Sequence, residues 1–411
     1  MKLALLGGSP IRTRPFNSWP AFGESERQNL LDVLNSRNWG GYSPKVREFE
    51  DAFAALHRVQ HAITCTNGTV AIETVLHALG IGCGDEVIVP PFTFIATATA
   101  VLLCHASPVF ADIDPETMNL SPVAVEAAIT PRTRAIIVVH FGGRPADMDA
   151  LTAIARRHSL ALIEDAAHAH GACWRGIPVG NFGVAATFSF QLFKLMTSGE
   201  GGIMLTNSAE LSEKLWSYCN QGRRSGGGWY EHPCLGTNSR MTGFQAALLC
   251  DQLRQLPEQT RIRAERVGLL RARLARLPGL SMLPVDDRIQ QDPNYIVTVR
   301  CDAERLGTDR DTLVKALQAE GIPVQLPYPY PLYRNGVFSQ QQTAPFNCRN
   351  WHPGQAYNSL YLPECERICR EGMWLGHKLF LGDNQDIEDM LAAFEKVHRL
   401  IPSLAGSQAG S

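Results

Sequence analysis

The sequence predicts an α/β protein with a large domain, built on a mostly parallel seven-stranded sheet, followed by a smaller C-terminal α+β domain. The chain has 411 residues, more than the roughly 250–300 at which a single hydrophobic core stops growing. Between residues 60 and 205, seven short apolar runs alternate with helix-length segments. After residue 280 this alternation gives way to a mixed pattern of strand, helix and proline-rich segments.

The seven apolar runs are rich in β-branched and aliphatic residues, which is typical of parallel strands buried on both faces. Segments 68–79 and 146–158 have the pattern of helices, so we expect crossover helices that cover the sheet. The runs are HAITCT (61–66), DEVIVPP (85–91), SPVFADI (107–113), AIIVVHFG (135–142), LALIEDAA (160–167), ATFSF (186–190) and GIMLTN (202–207).

The remaining helices and strands are predicted from segments rich in helix-forming residues and from the prolines and glycines that end them. Three helical segments are expected, at 209–220, 244–256 and 260–277, and the last would connect the two domains. A strand at 294–301, a helix at 310–320, an extended segment at 321–333 and a closing helix at 384–400 would form the small domain. The predicted organisation is an N-terminal segment (1–20), a large domain (21–265), a small domain (266–402) and a flexible tail (403–411).

Composition excludes several classes of function. A net charge of −2 provides no concentrated basic face for nucleic acid or an anionic membrane. The apolar run at the N-terminus stops at Gly7, too early for a secretory signal core, and no window approaches 18 apolar residues. Eleven scattered cysteines form no disulfide framework, and the Cys365–Cys369 pair lacks further metal ligands. We therefore expect a cytoplasmic protein with reduced thiols and no metal site.

Two of the predicted strands end in groups suited to an anion or a cation. Asn67, Gly68 and Thr69 lie between a strand and a helix, where free amides, a close backbone approach and a hydroxyl would suit a phosphate. A plain helix cap is the alternative for these residues. Glu164-Asp165 ends the strand at 160–163 and would place a carboxylate at the floor of a cleft, although an ordinary strand-end cap also fits.

Two further segments supply an aromatic ring and an amine. Phe94 follows VIVPP and could stack on a flat heteroaromatic ring or pack in the core. Lys194 lies in the mostly apolar stretch FSFQLFKLMTSGEGG (188–202), where desolvation would lower its pKa and free the amine for attack on an aldehyde. A snorkelling surface lysine is the alternative, and the apolar flanks argue against it.

No single motif is decisive, but together they match one cofactor. An anion cradle, a stacking ring, a buried carboxylate and a reactive lysine follow each other in the order expected along one sheet. Pyridoxal phosphate needs these four groups: the lysine forms a Schiff base, and the carboxylate keeps the pyridinium nitrogen protonated. The sequence therefore predicts a pyridoxal-phosphate enzyme centred on Lys194 and Asp165.

The chain resembles the DegT/DnrJ/StrS aminotransferases, which have the pyridoxal-phosphate fold type I. The resemblance covers nearly the whole chain and is carried by NGT (67–69), EDAAHAHGA (164–172), FSFxxxKxxxxGEGG (188–202) and GTNSRMTGFQAA (236–247). It implies that Lys194 is the Schiff-base lysine and that Asp165 pairs with the pyridinium nitrogen. The other cofactor contacts that it implies are Asn67, Gly68, Thr69, Phe94, His168 and Ser189, with Asn238 supplied by the second subunit of a homodimer. His168 stands where many relatives have glutamine.

Around the substrate the chain resembles the inosose aminotransferases of aminocyclitol antibiotic pathways. GGSPIRTRPFNSWPAFGESE at the N-terminus, VVHFGGRPADMDAL (138–151) and PYPLYRN (329–335) carry this resemblance. It implies a cyclic ketone of the scyllo-inosose type as acceptor and L-glutamine as donor. Candidate substrate residues are Trp39, Tyr42, Arg223 and Tyr330. A nucleotide-linked keto-sugar aminotransferase, a 3-amino-5-hydroxybenzoate synthase-like aromatizing enzyme and a cofactor-binding regulator are the alternatives. Lys194 itself argues against a dehydratase of this fold, since those relatives have histidine there.

Overall fold

The computed structural model describes residues 2–341, 345 and 351–405. Its large sheet has seven strands in the order β1-β9-β8-β5-β4-β2-β3. Only β9 is antiparallel to its neighbours, so the sheet is mostly parallel as predicted. The strands are β1 (His61–Cys65), β2 (Glu86–Val89), β3 (Ser107–Phe110), β4 (Thr133–Val139), β5 (Ala161–Asp165), β8 (Ala185–Ser189) and β9 (Gly202–Thr206).

Each of these strands falls within one of the seven predicted runs or overlaps it closely. Nearly all of their residues are buried, because helices cover both faces of the sheet. The helices of this part of the chain are α1 (Glu24–Ser36), α2 (Pro44–His57), α3 (Gly68–Ala78), α4 (Ala96–Leu103), α5 (Pro122–Ala128), α6 (Met148–Arg157) and α7 (Ala209–Cys219), with 3-10 helices at Ala4–Leu6 and Phe141–Gly143.

A single long helix, α8 (Gly243–Leu274), replaces the two helices predicted at 244–256 and 260–277. Pro257 lies inside it and removes one hydrogen-bond donor, a cost that isolated helices rarely tolerate. Here buried residues on both sides, among them Leu253, Leu256 and Val267, pack the helix against the rest of the protein. The helix runs without interruption through the domain boundary predicted at 265/266, which stays a prediction.

The C-terminal part has its own three-stranded antiparallel sheet, in the order β10-β12-β13. A third small sheet pairs β11 with β6, which also pairs with β7. It connects residues 289–291 to the segment between β5 and β8 of the large sheet. The elements are β6 (Cys173–Trp174), β7 (Ile177–Pro178), β10 (Leu280–Met282), β11 (Ile289–Gln291), β12 (Ile296–Cys301), β13 (Gly372–Gly376), α9 (Ala303–Leu306), α10 (Arg310–Ala319), α11 (Gly336–Ser339), α12 (Pro363–Glu371), α13 (Asn384–Leu400) and α14 (Pro402–Ala405), with 3-10 helices at Leu332–Arg334, Tyr357–Ser359 and His377–Phe380.

Two segments, one at the N-terminus and one at 332–357, pack against parts of the protein other than those predicted from the sequence. Leu3 is fully buried in the C-terminal core, and Glu320 accepts hydrogen bonds from the amides of Ala4 and Ile11. Conversely, Leu332, Tyr333 and other apolar residues between Leu332 and Tyr357 pack against the core of the large sheet.

Within the described residues, the helices are too short or too polar to cross a membrane. The predicted tail lies beyond the described residues from 406 onward.

Candidate active site

The predicted site residues follow four strands of the large sheet that run in the same direction. Asn67 and Gly68 follow β1, Phe94 follows β2, Asp165 is the last residue of β5, and Ser189 is the last residue of β8. Because these strands are mutually parallel, their carboxyl ends meet at one edge. The fold therefore gathers the predicted residues at the edge where open α/β sheets bind ligands.

Lys194 lies in the loop between β8 and β9, and its side chain is half-buried. Its ammonium nitrogen Nζ is 4.9 Å from the centroid of the Tyr295 ring. Among the described residues no carboxylate forms an ion pair with it. Burial lowers the pKa of Lys194 to about 8, although the nearby Asp165 carboxyl acts in the opposite direction. An amine with this pKa is partly neutral near physiological pH and is therefore a competent nucleophile and base.

The Asp165 carboxyl is buried and is held in place by two donors. Its Oδ2 accepts a hydrogen bond of 2.8 Å from the Thr97 hydroxyl, and its Oδ1 accepts one of 3.2 Å from the Ala167 amide. Burial raises the pKa of Asp165 despite these hydrogen bonds. Among the described residues none forms an ion pair with Asp165, although the charge of Lys194 acts to lower its pKa. A protonated ring nitrogen would supply such a partner.

The neighbouring Glu164 points to the opposite face of the sheet and is fully satisfied. His140 Nε2 lies 3.2 Å from Oε2, and the amides of Gly180, Phe182 and Gly183 donate to the same carboxylate at 2.9 Å. Burial alone would favour the neutral acid, but these hydrogen bonds lower the pKa of Glu164. Glu164 therefore acts as a structural anchor for residues 180–183.

Gly68 lies in contact with Ser189 at the start of α3, and Thr69 follows it in the first turn. A Cβ atom added to Gly68 would lie 2.9 Å from the Ser189 Cβ, so the two residues touch only because Gly68 has no side chain. The Asn67 side-chain oxygen accepts from the Val70 amide and caps the helix. The amides of Gly68 and Thr69, in the first turn, have no intrahelical acceptor. Two free amides and two hydroxyls are suited to a phosphate.

Phe94 and His168 lie beside Asp165. Phe94 is 58% exposed, and Thr97, one helical turn further on, donates both its amide to the Phe94 carbonyl and its hydroxyl to Asp165. The His168 ring packs 4.4 Å from that of Tyr295, and its Nδ1 accepts a 3.4 Å hydrogen bond from the Gly142 amide. Burial lowers the pKa of His168 well below its usual value. The ring is therefore neutral and carries its proton on Nε2.

The remaining predicted residues form a second group. Tyr42 donates its hydroxyl to Asn220 at 3.0 Å and accepts from Arg223 at 3.4 Å, while Asn220 pairs with Asn238 in an isolated β-bridge. Asn238 is exposed. Trp39 is half-exposed and hydrogen-bonds to the Leu34 carbonyl. The structure thus brings Tyr42, Arg223 and Asn238 together on the surface.

Tyr330 lies on a segment that the structure attaches to the first group. The Leu332 amide donates to the Pro91 carbonyl at 2.9 Å, and the Tyr328 ring lies 5.4 Å from that of Phe92. These contacts hold residues 328–332 beside the loop that carries Phe94. Tyr330 is 44% exposed there.

The sequence did not single out Thr97, Tyr295, His377 and Trp19. Tyr295 faces Lys194, and His377 and Trp19 hydrogen-bond to the loop before it. All three come from segments more than 90 residues away from Lys194 in the chain, so no local sequence pattern indicates that they contact its loop. The sequence could have indicated Thr97, since it lies one helical turn after Phe94.

The residues present fit pyridoxal phosphate. The Gly68–Ser189 contact leaves a cradle that a Cβ would fill, and its free donors suit the phosphate. Asp165 is a buried carboxyl that forms no ion pair with a described residue, and Lys194 is an amine with a lowered pKa. The exposed ring of Phe94 offers a stacking surface.

Comparisons with known proteins agree with this geometry. The family model described as the DegT/DnrJ/EryC1/StrS aminotransferase family matches residues 20–388. A protein of Streptoalloteichus tenebrarius named putative L-glutamine:3-amino-2,3-dideoxy-scyllo-inosose aminotransferase is 38% identical, over 98% of this chain and 99% of its own length. The L-glutamine:2-deoxy-scyllo-inosose aminotransferase of Streptomyces lividus is also 38% identical, over 97% of both chains.

A solved structure extends the agreement to the fold. The crystal structure of 3-amino-5-hydroxybenzoic acid synthase superposes with a TM-score of 0.84 at 35% identity, covering 94% of this chain and 100% of that one. This likeness confirms the predicted architecture, a large mostly parallel sheet of fold type I with a smaller C-terminal part. Sequence family, relatives and fold lead to one conclusion: the chain belongs to the DegT/DnrJ/EryC1/StrS aminotransferases and is an enzyme of that class.

Proposed function

We propose that this aminotransferase uses pyridoxal 5′-phosphate, bound at the edge of the sheet between Lys194 and Asp165. The observation that carries the proposal is the position of Lys194, half-buried in the loop after β8, at the same sheet edge as the buried carboxyl of Asp165. Burial lowers the pKa of the Lys194 amine to about 8. When bound, the cofactor supplies an electron sink for the charge that develops at the α-carbon of the amino donor. The chain belongs to a family of such aminotransferases, which supports the assignment.

The chain's own residues would divide the work of binding. The amides of Gly68 and Thr69 and the hydroxyls of Thr69 and Ser189 would hold the phosphate, next to the Asn67 cap. Phe94 would stack on one face of the ring, and Asp165 would pair with its nitrogen. His168, protonated on Nε2, would donate to a polar group on the ring.

Lys194 would move the proton in the reaction. Its neutral amine would act as general base and remove the proton from the donor's α-carbon. The acquired proton makes Lys194 a general acid for the return transfer. A pKa of about 8 suits both directions, because general acid–base catalysis works best when the pKa lies near the working pH.

We further propose that the acceptor is an unlinked cyclic ketone of the scyllo-inosose or 2-deoxy-scyllo-inosose type, and that L-glutamine is the donor. Relatives with such names match nearly the whole chain at 38% identity. Trp39, Tyr42, Arg223 and Tyr330 would contact the substrates. Their aromatic faces and single guanidinium suit a hydroxylated ring and a carboxylate.

The enzyme would work as a homodimer in which Asn238 completes the phosphate site of the second subunit. Asn238 is exposed, and Trp229 and Tyr230 in the preceding loop are 79% and 80% exposed. Exposed aromatic rings of this size are typical of protein–protein interfaces. A second copy of the chain would cover them and bring Asn238 to the neighbouring site.

The test is a pair of half-reactions with the purified holoenzyme. L-glutamine, L-glutamate and L-alanine are each added, and loss of the absorbance of the lysine-bound cofactor is followed. The product form is then offered scyllo-inosose, 2-deoxy-scyllo-inosose or a keto-sugar nucleotide. We expect fast bleaching by L-glutamine and recovery of the band by an inosose. Preference for the sugar nucleotide, or a rise in aromatic absorbance with a dehydroquinate-like ring, would contradict the substrate assignment. Retention of cofactor without reaction with any amino acid would contradict the enzymatic proposal.

A further inference from the structure

The loop that carries Lys194 is held by two side chains from distant parts of the chain. The indole Nε1 of Trp19 donates a 3.0 Å hydrogen bond to the Leu192 carbonyl. His377 Nε2 lies 3.1 Å from the Phe193 carbonyl, and since a carbonyl only accepts, this nitrogen carries the proton and donates. The two carbonyls directly before Lys194 are therefore both fixed, one by the N-terminal segment and one by the C-terminal part.

The same two side chains belong to a continuous column of rings, which we call the ring ladder: Trp19, His377, Tyr295 and His168. Trp19 meets His377 edge-on at 4.6 Å, and His377 stacks with Tyr295 at 5.7 Å. Tyr295 in turn lies 4.4 Å from His168. The backbone reinforces the column, because the His377 amide donates to the Tyr295 carbonyl at 3.0 Å. Lys194 Nζ lies over the Tyr295 face.

Among the described residues, Asp165 is the charged group that acts on the Lys194 amine, and the buried Arg263 acts on His377 and His170. The rings around the amine are themselves uncharged at neutral pH. Burial lowers the pKa of His377 to about 3 and that of His168 and His170 well below the usual value, so these rings are neutral. Burial raises the pKa of Tyr295 to about 12, so its phenol stays protonated. The aromatic face of Tyr295 attracts the ammonium form of Lys194 through its quadrupole. The ladder thus offers a surface whose charge does not change around neutral pH.

We propose that Trp19, His377 and Tyr295 are positioning residues for Lys194: the first two fix the loop, and the third is the surface on which the amine rests when the cofactor has been transferred to the substrate. This inference rests on the proposed function. A released lysine has four rotatable bonds and would otherwise sample many positions, whereas proton transfer requires Nζ to stay within hydrogen-bonding reach of the substrate's α-carbon.

The ladder also connects distant parts of the chain to the site. Trp19 belongs to the N-terminal segment, Tyr295 directly precedes β12, and His377 directly follows β13. Side-chain contacts therefore link the C-terminal sheet to the loop that carries Lys194.

The experiment compares holoenzyme variants that keep or remove single features of the ladder. Tyr295→Phe keeps the ring face, and Tyr295→Leu removes it. Trp19→Phe and His377→Phe keep an aromatic ring but remove the hydrogen bonds to the Leu192 and Phe193 carbonyls. His398→Phe is the matched control, because His398 makes the same kind of bond, 2.9 Å to the Pro278 carbonyl, on α13. For each protein, the half-reaction with L-glutamine and the pH titration of the lysine-bound cofactor's absorbance are measured.

We expect Tyr295→Leu and the Trp19→Phe/His377→Phe double variant to lower the half-reaction rate at saturating donor by about tenfold or more. Their apparent KM for the donor should change by less than about threefold, and the pH midpoint of the absorbance should shift. His398→Phe should match the wild type, and Tyr295→Phe, which keeps the ring face, should lose much less rate than Tyr295→Leu. Wild-type rates and pH midpoints in folded Tyr295→Leu and Trp19→Phe proteins would overturn the proposal.

Two further outcomes keep the inference separate from the proposed function. If the double variant does not fold, Trp19→Phe alone tests the hydrogen bond, since Trp19 is only half-buried. A wild-type enzyme that reacts with no amino acid contradicts the proposed function. A reactive wild type with unaffected ladder variants contradicts only the positioning role.

Discussion

At the scale of single residues, Glu164 and Asp165 show how one position in a strand decides a side chain's task. Successive side chains of a strand point to opposite faces, so Glu164 meets His140 and three amides while Asp165 reaches the site. The first carboxylate is satisfied and ionised. The second has two donors and a raised pKa, and is available to a cationic ligand.

Removing the Asp165 charge should impair the reaction strongly. We expect Asp165→Asn to slow the half-reaction with L-glutamine by about 10- to 100-fold, because a hydrogen bond to a charged group contributes about 1.5–3 kcal/mol. Thr97→Val, which removes the 2.8 Å hydrogen bond to Asp165, should slow it by about fivefold. Thr99→Val is the control, since the Thr99 hydroxyl bonds only to the Ile95 carbonyl of its own helix. Equal rates for Asp165→Asn and wild type would contradict the role of Asp165.

The Lys194 amine should titrate far below an ordinary lysine. In the cofactor-free protein its reaction with an amine-specific reagent should rise with pH through a midpoint near 8, because burial lowers its pKa to about 8. A lysine in a model peptide titrates near about 10.4 and is the reference for this midpoint. Peptide mass spectrometry after competitive labelling measures the midpoint. A midpoint for Lys194 at the reference value would show that burial does not depress its pKa.

At the scale of elements, α8 shows that packing can override local preference. Pro257 and Gly268 both disfavour a helix, yet the helix is continuous over 32 residues. Its buried face includes Arg263, whose Nε donates to the Pro293 carbonyl two residues before Tyr295. The helix therefore helps to place the ring ladder.

Glycine at position 268 should be replaceable with a gain in stability. No atom lies within 4 Å of a Cβ built there, and the residue is helical and exposed. We expect Gly268→Ala to raise the free energy of unfolding by about 0.5–1 kcal/mol. Gly307→Ala is the contrast: its Cβ also meets no atom, but its φ of +71° strains an alanine, so stability should fall. Both are measured by urea denaturation, and a loss of stability in Gly268→Ala would contradict the expectation.

At the scale of the whole molecule, the predicted site residues separate into two groups on one chain. Lys194, Asp165, Gly68 and Ser189 lie at the sheet edge, whereas Asn238 lies in a surface group with Tyr42 and Arg223. The symmetric dimer that we propose would resolve this separation, because a two-fold axis would bring the surface group of each subunit to the sheet edge of the other.

Mixing two inactive variants tests this arrangement. Lys194→Ala and Asn238→Ala homodimers should each show low activity, the first because it lacks the amine and the second because its phosphate site is incomplete. After subunit exchange, each heterodimer contains one intact site, made of the wild-type Lys194 of one subunit and the wild-type Asn238 of the other. Activity should recover to about one quarter of the wild-type value in an equal mixture. No recovery, with exchange verified by native mass spectrometry, would contradict shared sites.

Sequence alone predicted all seven strands of the large sheet and the residues at their ends. Buried parallel strands have continuous apolar runs, and their polar ends are adjacent in sequence to them, so both signals are local. It missed the short strands β6, β7, β10 and β11, since two- and three-residue strands have no period, and it also missed β13. It also divided α8 at Pro257, because intrinsic helix preference does not include the tertiary contacts that hold the helix together.

The features of Lys194 also divide into those that the sequence predicts and those that only the tertiary structure shows. The sequence by itself determined that a lysine in an apolar stretch follows a carboxylate-ending strand, and hence which reactive groups the enzyme has. Only the tertiary structure decided what surrounds that lysine: Tyr295 over its amine, Trp19 and His377 on its loop, and Thr97 on Asp165. The physical reason is distance along the chain, since packing brings together residues whose separation in sequence carries no information about their contact.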